Sequence, residues 1–377
     1  MAIWSFPTRI RFGVGDVQKT GEEAKSLGLQ RVLIVADPGV EKAGLIQPVK
    51  SSLEASGLAV AVYTGVDGNP TEENIEGGAQ AYAVHRADGV VAVGGGSPMD
   101  AAKLIALRAV CKLPFEELDD AINGGVHVPA DVPALITIPT TAGTGSEVGR
   151  AAVVTVRSTK RKTVVFSPRL LAKVAILDPE LCRSMPPKTT AATGFDALTH
   201  CIEAYLAAGD HPMADAIALS GIDMVYSHLP IAVSDGANLD ARGAMMKAAM
   251  MGAVAFQKGL GACHSLAHPL SAEFGLHHGL ANALCLPAVM DFNEVAVPDR
   301  VAHIGLLLGG EAEQGACAKA LRGLRLRLGL PGGLEAVGLT AEQLRPLAAK
   351  AFEDACHREN PRPCTQEDLL DLYLASL

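Results

Sequence analysis

GVVAVGGGSPMDAAK, residues 89–103, reads as a strand, a glycine turn and the start of a helix. Its first half is continuously apolar, as a strand buried on both faces should be. The glycines that follow free the backbone from side-chain constraint. Ser97 is expected to cap the helix, with Pro98 at the first helical position and Asp100 completing a capping box. Exposed backbone N–H groups at a helix N-terminus favour an anion such as a pyrophosphate. An ordinary tight strand–helix turn would use the same residues, and the stretch is not a G-x-G-x-x-G.

Outward from this stretch, the same grammar repeats. RVLIVAD (31–37), AVAVYT (59–64) and ALITIPT (134–140) are further apolar runs, with helix-length segments near 41–56, 71–86 and 97–111. Such alternation predicts an open parallel sheet covered by helices. Residues 151–166 read as a hairpin and KVAILD (173–178) as a last strand. Beyond SMPPK (184–188) only helical segments are expected, near 189–207, 212–228, 239–258, 261–271, 297–308, 313–328, 341–354 and 366–376. The proline pair at 186–187 marks a boundary. The expectation is a Rossmann-like α/β domain over residues 1–185 and an all-helical domain over 186–377, with a ligand cleft between them.

Composition narrows the function classes. A 49% hydrophobic chain of 377 residues can bury a large core, and a net charge of −9 argues against a nucleic-acid surface. No uninterrupted run of ~18 apolar residues is present, so no membrane span is expected. The start, MAIWSFPTRIRFG, lacks the pattern of a secretory signal. Eight cysteines without a C-x-x-C pair read as reduced thiols of a cytoplasmic protein.

Two further stretches bear on a nucleotide. PTTAGTGSEVG (139–149) follows a buried strand and offers the hydroxyls of Thr140, Thr141, Thr144 and Ser146 among glycines, although a surface loop can share that composition. Asp37 ends a strand, where an acid can accept hydrogen bonds from an adenosine ribose and repel a 2′-phosphate, favouring NAD over NADP. It lies before the glycine turn, not after it as in the usual dinucleotide fold. Either it is a turn residue, or the topology is a different one.

The helical half carries ligand chemistry. TGFDALTHCIEAYL (193–206) puts Asp196 and His200 four apart on one helix face. GACHSLAHPL repeats the spacing with His264 and His268, and His277 and His278 follow. A single such pair is an ordinary helix-surface contact. Two pairs with a neighbouring His–His suit a divalent transition metal. Spacing alone does not decide which of His264, His268, His277 and His278 ligate.

With these residues in view, the chain resembles the iron-containing, or group III, alcohol dehydrogenases. FGVG (12–15), NPT (69–71), GGGSPMDAAK (94–103), PTTAGTGSEVG, DPEL (178–181), GFDALTHCIEAY (194–205) and HHGLANA (277–283) carry the resemblance along nearly the whole chain. It implies a dehydroquinate-synthase-like architecture and one divalent metal, iron or in some members zinc, on Asp196, His200, His264 and His278. His268 would stand beside the metal as a proton-relay or substrate-contacting residue, and His277 is left as a structural or pocket residue. Gly95, Gly96 and Ser97 would meet the cofactor pyrophosphate, and Thr140, Thr141 and Thr144 would run along the cofactor. Asp37 and Asn69 would meet its adenosine end, and Lys162 its ribose or nicotinamide side. Ala151 departs from several members, which carry a polar residue there.

The implied activity is NAD(H)-linked interconversion of small primary alcohols or diols and aldehydes by a cytoplasmic homodimer or larger homo-oligomer. The alternatives are a hydroxy-acid or glycerol-type dehydrogenase and a dehydroquinate-synthase-like lyase. Few Arg or Lys residues surround the metal motifs, which disfavours the lyase with its phosphorylated, carboxylated substrate.

Overall fold

Strands β1 (Arg9–Phe12), β2 (Arg31–Val35), β3 (Ala59–Tyr63), β4 (Gly89–Gly94), β5 (Ala134–Pro139) and β8 (Val174–Leu177) form one sheet, in the order β1-β8-β5-β4-β2-β3. Every neighbouring pair is parallel. The intervening β6 (Ala151–Thr155) and β7 (Lys162–Phe166) make a separate antiparallel hairpin. The computed structural model describes residues 8–158 and 162–377. It divides into two units, one of residues 8–141 with Ser146–Ser184, the other of Ala142–Gly145 with Met185–Leu377.

In the sheet unit, α1 (Thr20–Ser26), α2 (Pro38–Lys42), α3 (Ile46–Ala55), α4 (Glu72–His85) and α5 (Gly96–Val110) connect the strands. Successive side chains of a strand point to opposite faces, and here both faces are covered. Leu33, Val35, Val90 and Ala92 enter one core, whereas Val32, Ile34, Val91 and Val93 enter the other. This is why the strands are unbroken apolar runs.

The chain runs β2 to β3, then crosses back over β2 to place β4 on its other side. The strand order therefore reverses between β2 and β4, the kind of crevice where open α/β sheets bind ligands. Val35 pairs with Ala92, and two residues beyond them stand Asp37 and Gly94. The acid thus ends the strand next to the glycine turn, although it comes earlier in the chain.

Three local expectations need correction. The segment near 41–56 is two helices, α2 and α3. Ser97 is not the cap of α5: the helix starts at Gly96 with Gly95 as an uncapped N-cap. The Ser97 hydroxyl instead donates to the Gly68 carbonyl at 2.7 Å, and Asp100 is drawn away by Ser146 and Val153. Strand β1 was not anticipated, because RIRF alternates charge with apolar residues at the sheet edge, and Arg11 reaches Glu23 at 3.0 Å.

The other unit is helical: α6 (Pro187–Leu206), α7 (Pro212–Ser234), α8 (Leu239–Ala255), α9 (Ala262–Phe274), α10 (His278–Glu294), α11 (Pro298–Leu307), α12 (Ala316–Arg327), α13 (Ala341–Leu344), α14 (Leu347–Glu353) and α15 (Gln366–Ala375). From Thr190 to Leu206 every residue of α6 is buried, and α7, α8 and α10 pack around it. Helix α7 has the length and apolar composition of a membrane span, a third of its apolar window is buried, and it packs on α6, α8 and α11. Helix α10 is the main departure from expectation. Its sequence is apolar on nearly every side and holds Pro287, so it shows no amphipathic stripe. Pro346 divides the 341–354 segment into α13 and α14.

Leu33 is fully buried between β-sheet and helices, and its replacement by Ala should cost about 2–5 kcal/mol. Leu326 is 62% exposed. Its replacement by Ala should stay within about 0.5 kcal/mol. Urea unfolding midpoints of the two variants check the contrast, and equal shifts would contradict the burial pattern.

Candidate functional site

Helix α6 projects Asp196, His200 and Glu203 from one stripe, spaced four and then three residues apart. Helix α9 brings His264 and α10 begins with His278. Ligand atoms of Asp196, His200 and His264 all lie within 4.8 Å of one another, and His278 Nε2 is 3.5 Å from Asp196 Oδ1. The His200 and His264 rings stack at 4.7 Å, and those of His264 and His278 lie 5.3 Å apart. These four residues are therefore brought together.

Close helix approach makes this possible. A Cβ on Gly279 would lie 2.1 Å from the Ala192 carbonyl oxygen and 3.0 Å from Asp196 Cβ, so only glycine lets α10 start this near α6.

Two residues outside the expected set organise it. His264 Nδ1 hydrogen-bonds the buried Glu203 carboxylate, whose Oε1 also accepts from the Cys263 N–H at 2.7 Å. With Nδ1–H committed there, the Nε2 lone pair of His264 faces Asp196, the tautomer a metal ligand needs. The Asn282 amide donates to Asp196 Oδ1 at 2.8 Å and lies 3.3 Å from His278 Nε2 and 3.5 Å from His264 Nε2. Glu203 was legible as the next residue of the Asp196–His200 stripe, and Asn282 as the residue four after His278.

The electrostatics favour the ligand forms of His200, His278 and Asp196. Burial pushes the His200 pKa down to about 4 and His278 well below its ordinary value, leaving both neutral. Burial opposes ionisation of Asp196. The imidazoles of His200, His278 and His264 and the Asn282 N–H outweigh it and hold the carboxyl below the usual range. For His264, burial works downward, but Glu203 overcomes it and holds the pKa up. Three imidazoles and one carboxylate with their lone pairs converging suit a divalent transition metal.

His268 stands beside this set, its ring stacked on His278 at 5.2 Å. Its Nδ1 is 2.8 Å from Asp354 Oδ2, and its side chain is 38% exposed. Asp354 in turn accepts from Ser265 Oγ at 2.8 Å and the Cys356 N–H at 2.9 Å. Burial would raise the Asp354 pKa, but His268 and these donors hold it far below the usual carboxylate range. Nothing in the spacing pointed to Asp354, which lies 86 residues from His268. His277 precedes α10 at an exposed position.

In the sheet unit, Gly95, Gly96 and Ser97 form the partly exposed turn after β4. Gly94 has φ +150°, and a Cβ there would lie 2.6 Å from Pro98. Thr140 N donates to the Gly94 carbonyl at 2.9 Å, and a Cβ on Gly95 would sit 3.2 Å from Thr141 Oγ1, so the two loops touch. Thr144 belongs to the helical unit. Asp37 caps α2, its Oδ1 accepting from Val40 N at 2.9 Å; Asn69 is exposed and Lys162 opens β7 at an exposed position.

A part-buried network ties this turn to the next loop. Ser146 Oγ donates to Asp100 Oδ1 at 2.6 Å, and Lys103 Nζ donates to Ser146 Oγ at 2.7 Å and the Ala151 carbonyl at 2.8 Å. Burial pushes neighbouring Glu147 up to about 7. Ala151, lacking a polar side chain, contributes through its backbone.

Comparison with known proteins follows the same division. The family described as iron-containing alcohol dehydrogenase matches residues 7–179, and the Fe-containing alcohol dehydrogenase C-terminal family matches residues 190–377. A 4-hydroxybutyrate dehydrogenase from Cupriavidus necator is 40% identical over 98% of each chain. An NAD-dependent methanol dehydrogenase from Bacillus methanolicus is 35% identical over 100% of each chain. Among solved structures, a 1,3-propanediol oxidoreductase superposes with a TM-score of 0.95 at 32% identity, covering 100% of both chains.

Gly279→Ala should cost about 1–3 kcal/mol by forcing α10 off α6. Gly323→Ala, on an exposed helix position with open space around it, should instead stabilise by about 0.4–1 kcal/mol. Thermal midpoints of opposite sign are expected, and a stabilising Gly279→Ala would refute the close approach.

The depressed Asp354 pKa contributes stability above the unfolded-state value of about 3.9 that is lost as pH falls toward the folded value. The stability gap between the wild type and Asp354→Asn should therefore be full at neutral pH and shrink below about pH 4. Denaturant midpoints across that range check the sign.

Proposed function

The chain belongs to the iron-containing alcohol dehydrogenase family, and on that premise we propose that it interconverts small primary alcohols or diols with their aldehydes, using NAD(H) and one divalent metal. The observation that carries the reading is the convergence of Asp196, His200, His264 and His278, with three helices contributing and all but His278 buried. Residues 186–377 would be the catalytic half and 1–185 the NAD-binding half of a cytoplasmic homo-oligomer.

Asp196, His200, His264 and His278 would hold the metal, Fe(II) in the family's usual form or Zn(II), which N/O sites bind more tightly. When bound, the metal supplies Lewis acidity to the substrate oxygen, and NAD(H) accepts or supplies hydride. Glu203 keeps His264 in the ligating tautomer, and Asn282 orients the Asp196 carboxylate. His268 holds or passes on the hydroxyl proton at Nε2, since Nδ1 is engaged by Asp354, and its exposure opens a route to solvent. Gly95, Gly96 and Ser97 would bind the pyrophosphate through backbone N–H groups at the start of α5. Thr140, Thr141 and Thr144 would line the cofactor, Asp37 and Asn69 its adenosine end, and Lys162 its ribose or nicotinamide side. Asp37 supports NAD over NADP by its negative charge at the end of β2.

A hydroxy acid is the second reading, favoured by the 40% identity to a 4-hydroxybutyrate dehydrogenase. One experiment addresses both. Protein reconstituted anaerobically with Fe(II) or Zn(II) should oxidise NADH with short aldehydes or with the aldehyde of 4-hydroxybutyrate. Asp196→Ala should lose bound metal and at least about a hundredfold in rate, the scale of several kcal/mol of Lewis-acid stabilisation. His268→Ala should slow turnover with metal retained. Full activity in metal-free Asp196→Ala would refute the mechanism.

A further inference from the structure

We propose that His268, Asp354 and Cys356 form a second divalent-metal site, suited to Zn(II), whose occupation blocks the proton route through His268. A ring nitrogen of His268, a carboxylate oxygen of Asp354 and Sγ of Cys356 all lie within 4.8 Å of one another. This set shares no residue with the Asp196–His200–His264 cluster, and each of its members is partly exposed where the three of that cluster are buried. A solvated ion can therefore reach it.

The framework of the set is fixed. Asp354 is held by Ser265 Oγ and the Cys356 N–H, and the His357 N–H donates to Ser265 Oγ at 2.9 Å. These bonds pin the turn after α14 to α9, the helix that carries His268. Nitrogen, oxygen and sulfur at three corners, with water at a fourth, match the tetrahedral preference of zinc. A thiolate donor also disfavours Mg(II) and Ca(II).

Charge and protons balance. The Cys356 thiol releases one proton to solvent, and coordination through His268 Nδ1 moves the ring proton from Nδ1 to Nε2. Thiolate and carboxylate then neutralise the dication. Burial and the Asp354 carboxylate push the free thiol up, and a dication at this position reverses that balance. With Nε2 protonated and the ring fixed, His268 can no longer accept the hydroxyl proton. The blocking effect rests on the relay role proposed above, whereas the binding does not.

Cobalt separates the two metal sets, because Asp196, His200, His264 and His278 include no sulfur. Full-length metal-free protein is titrated anaerobically with Co(II). Within two equivalents, a sulfur-to-cobalt charge-transfer band should appear in the near ultraviolet. Cys356→Ser and Cys356→Ala should lose that band, and Asp196→Ala should keep it. In turnover assays with the first set filled, added Zn(II) should slow the wild type. Cys356→Ser, measured against its own uninhibited rate, should need at least about tenfold more zinc for half inhibition. Absence of the band at two equivalents, or its survival in both Cys356 variants, overturns the site. A band without zinc inhibition in an active enzyme overturns the blocking role. No NADH turnover beside an intact band would instead count against the dehydrogenase reading alone.

Discussion

Asp196 places a carboxylate on a helix whose neighbours are buried on every side. A charge in that position is sustained only by partners that are themselves brought inside. The helical unit supplies them from three directions: His200 from the same helix, His264 from α9, and His278 with Asn282 from α10. Burial keeps His200 and His278 neutral, and a second carboxylate, Glu203, holds His264. Apolar packing brings α6, α9 and α10 to this spacing, and Gly279 sets how near α10 can come. The polar centre is thus the consequence of an apolar architecture.

In the sheet unit an equivalent constraint is topological. A parallel sheet needs crossovers, and the point where strand order reverses leaves the ends of β2 and β4 side by side. Asp37 and the glycine turn lie at these two ends. Their inverted order in the chain is immaterial to their spatial relation, which is why an acid well before the glycine turn can stand where a dinucleotide fold needs one. Asp100 and Lys103, read first as parts of a helix start, instead brace the turn against Ser146 and the β6 strand. Side chains that look like local caps are pulled into longer-range bonds when the fold holds competing donors beside them.

Much of this was legible because its signals are short-range. Apolar runs marked strands β2, β4 and β5, and the four-residue spacings put Asp196 with His200 and His264 with His268. Long-range pairings left no such trace. Glu203 follows the stripe of α6, but only folding shows that it meets a ring on α9. Asp354 and His268 find each other across 86 residues. Helix α10 escaped notice for a different reason: periodicity reports a boundary between core and solvent, and a helix buried on nearly all sides has none. Pro287 lies inside the helix, and tertiary packing holds the helix through it. At Ser97, the sequence offered a good cap, and the Gly68 carbonyl offered a better partner.

The two carboxylate–histidine pairs of the helical unit show how burial assigns different work to the same chemistry. Glu203 and His264 have side chains only 2% exposed, whereas His268 and Asp354 are 38% and 21% exposed. In the first pair no solvent proton arrives without local opening, so the hydrogen bond acts as a fixed determinant of tautomer and ring orientation. In the second the carboxylate still orients the ring, but the other ring nitrogen can exchange with water. The proposed ligand must not move its proton and the proposed relay must, and a difference in exposure satisfies both demands with the same two residue types. The edge-to-face contact of the His264 and His268 rings, 5.9 Å between centroids, places the exchanging pair directly against the fixed one. Whatever alters the ring of His268 is therefore felt beside the donor set without disturbing its own hydrogen bonds.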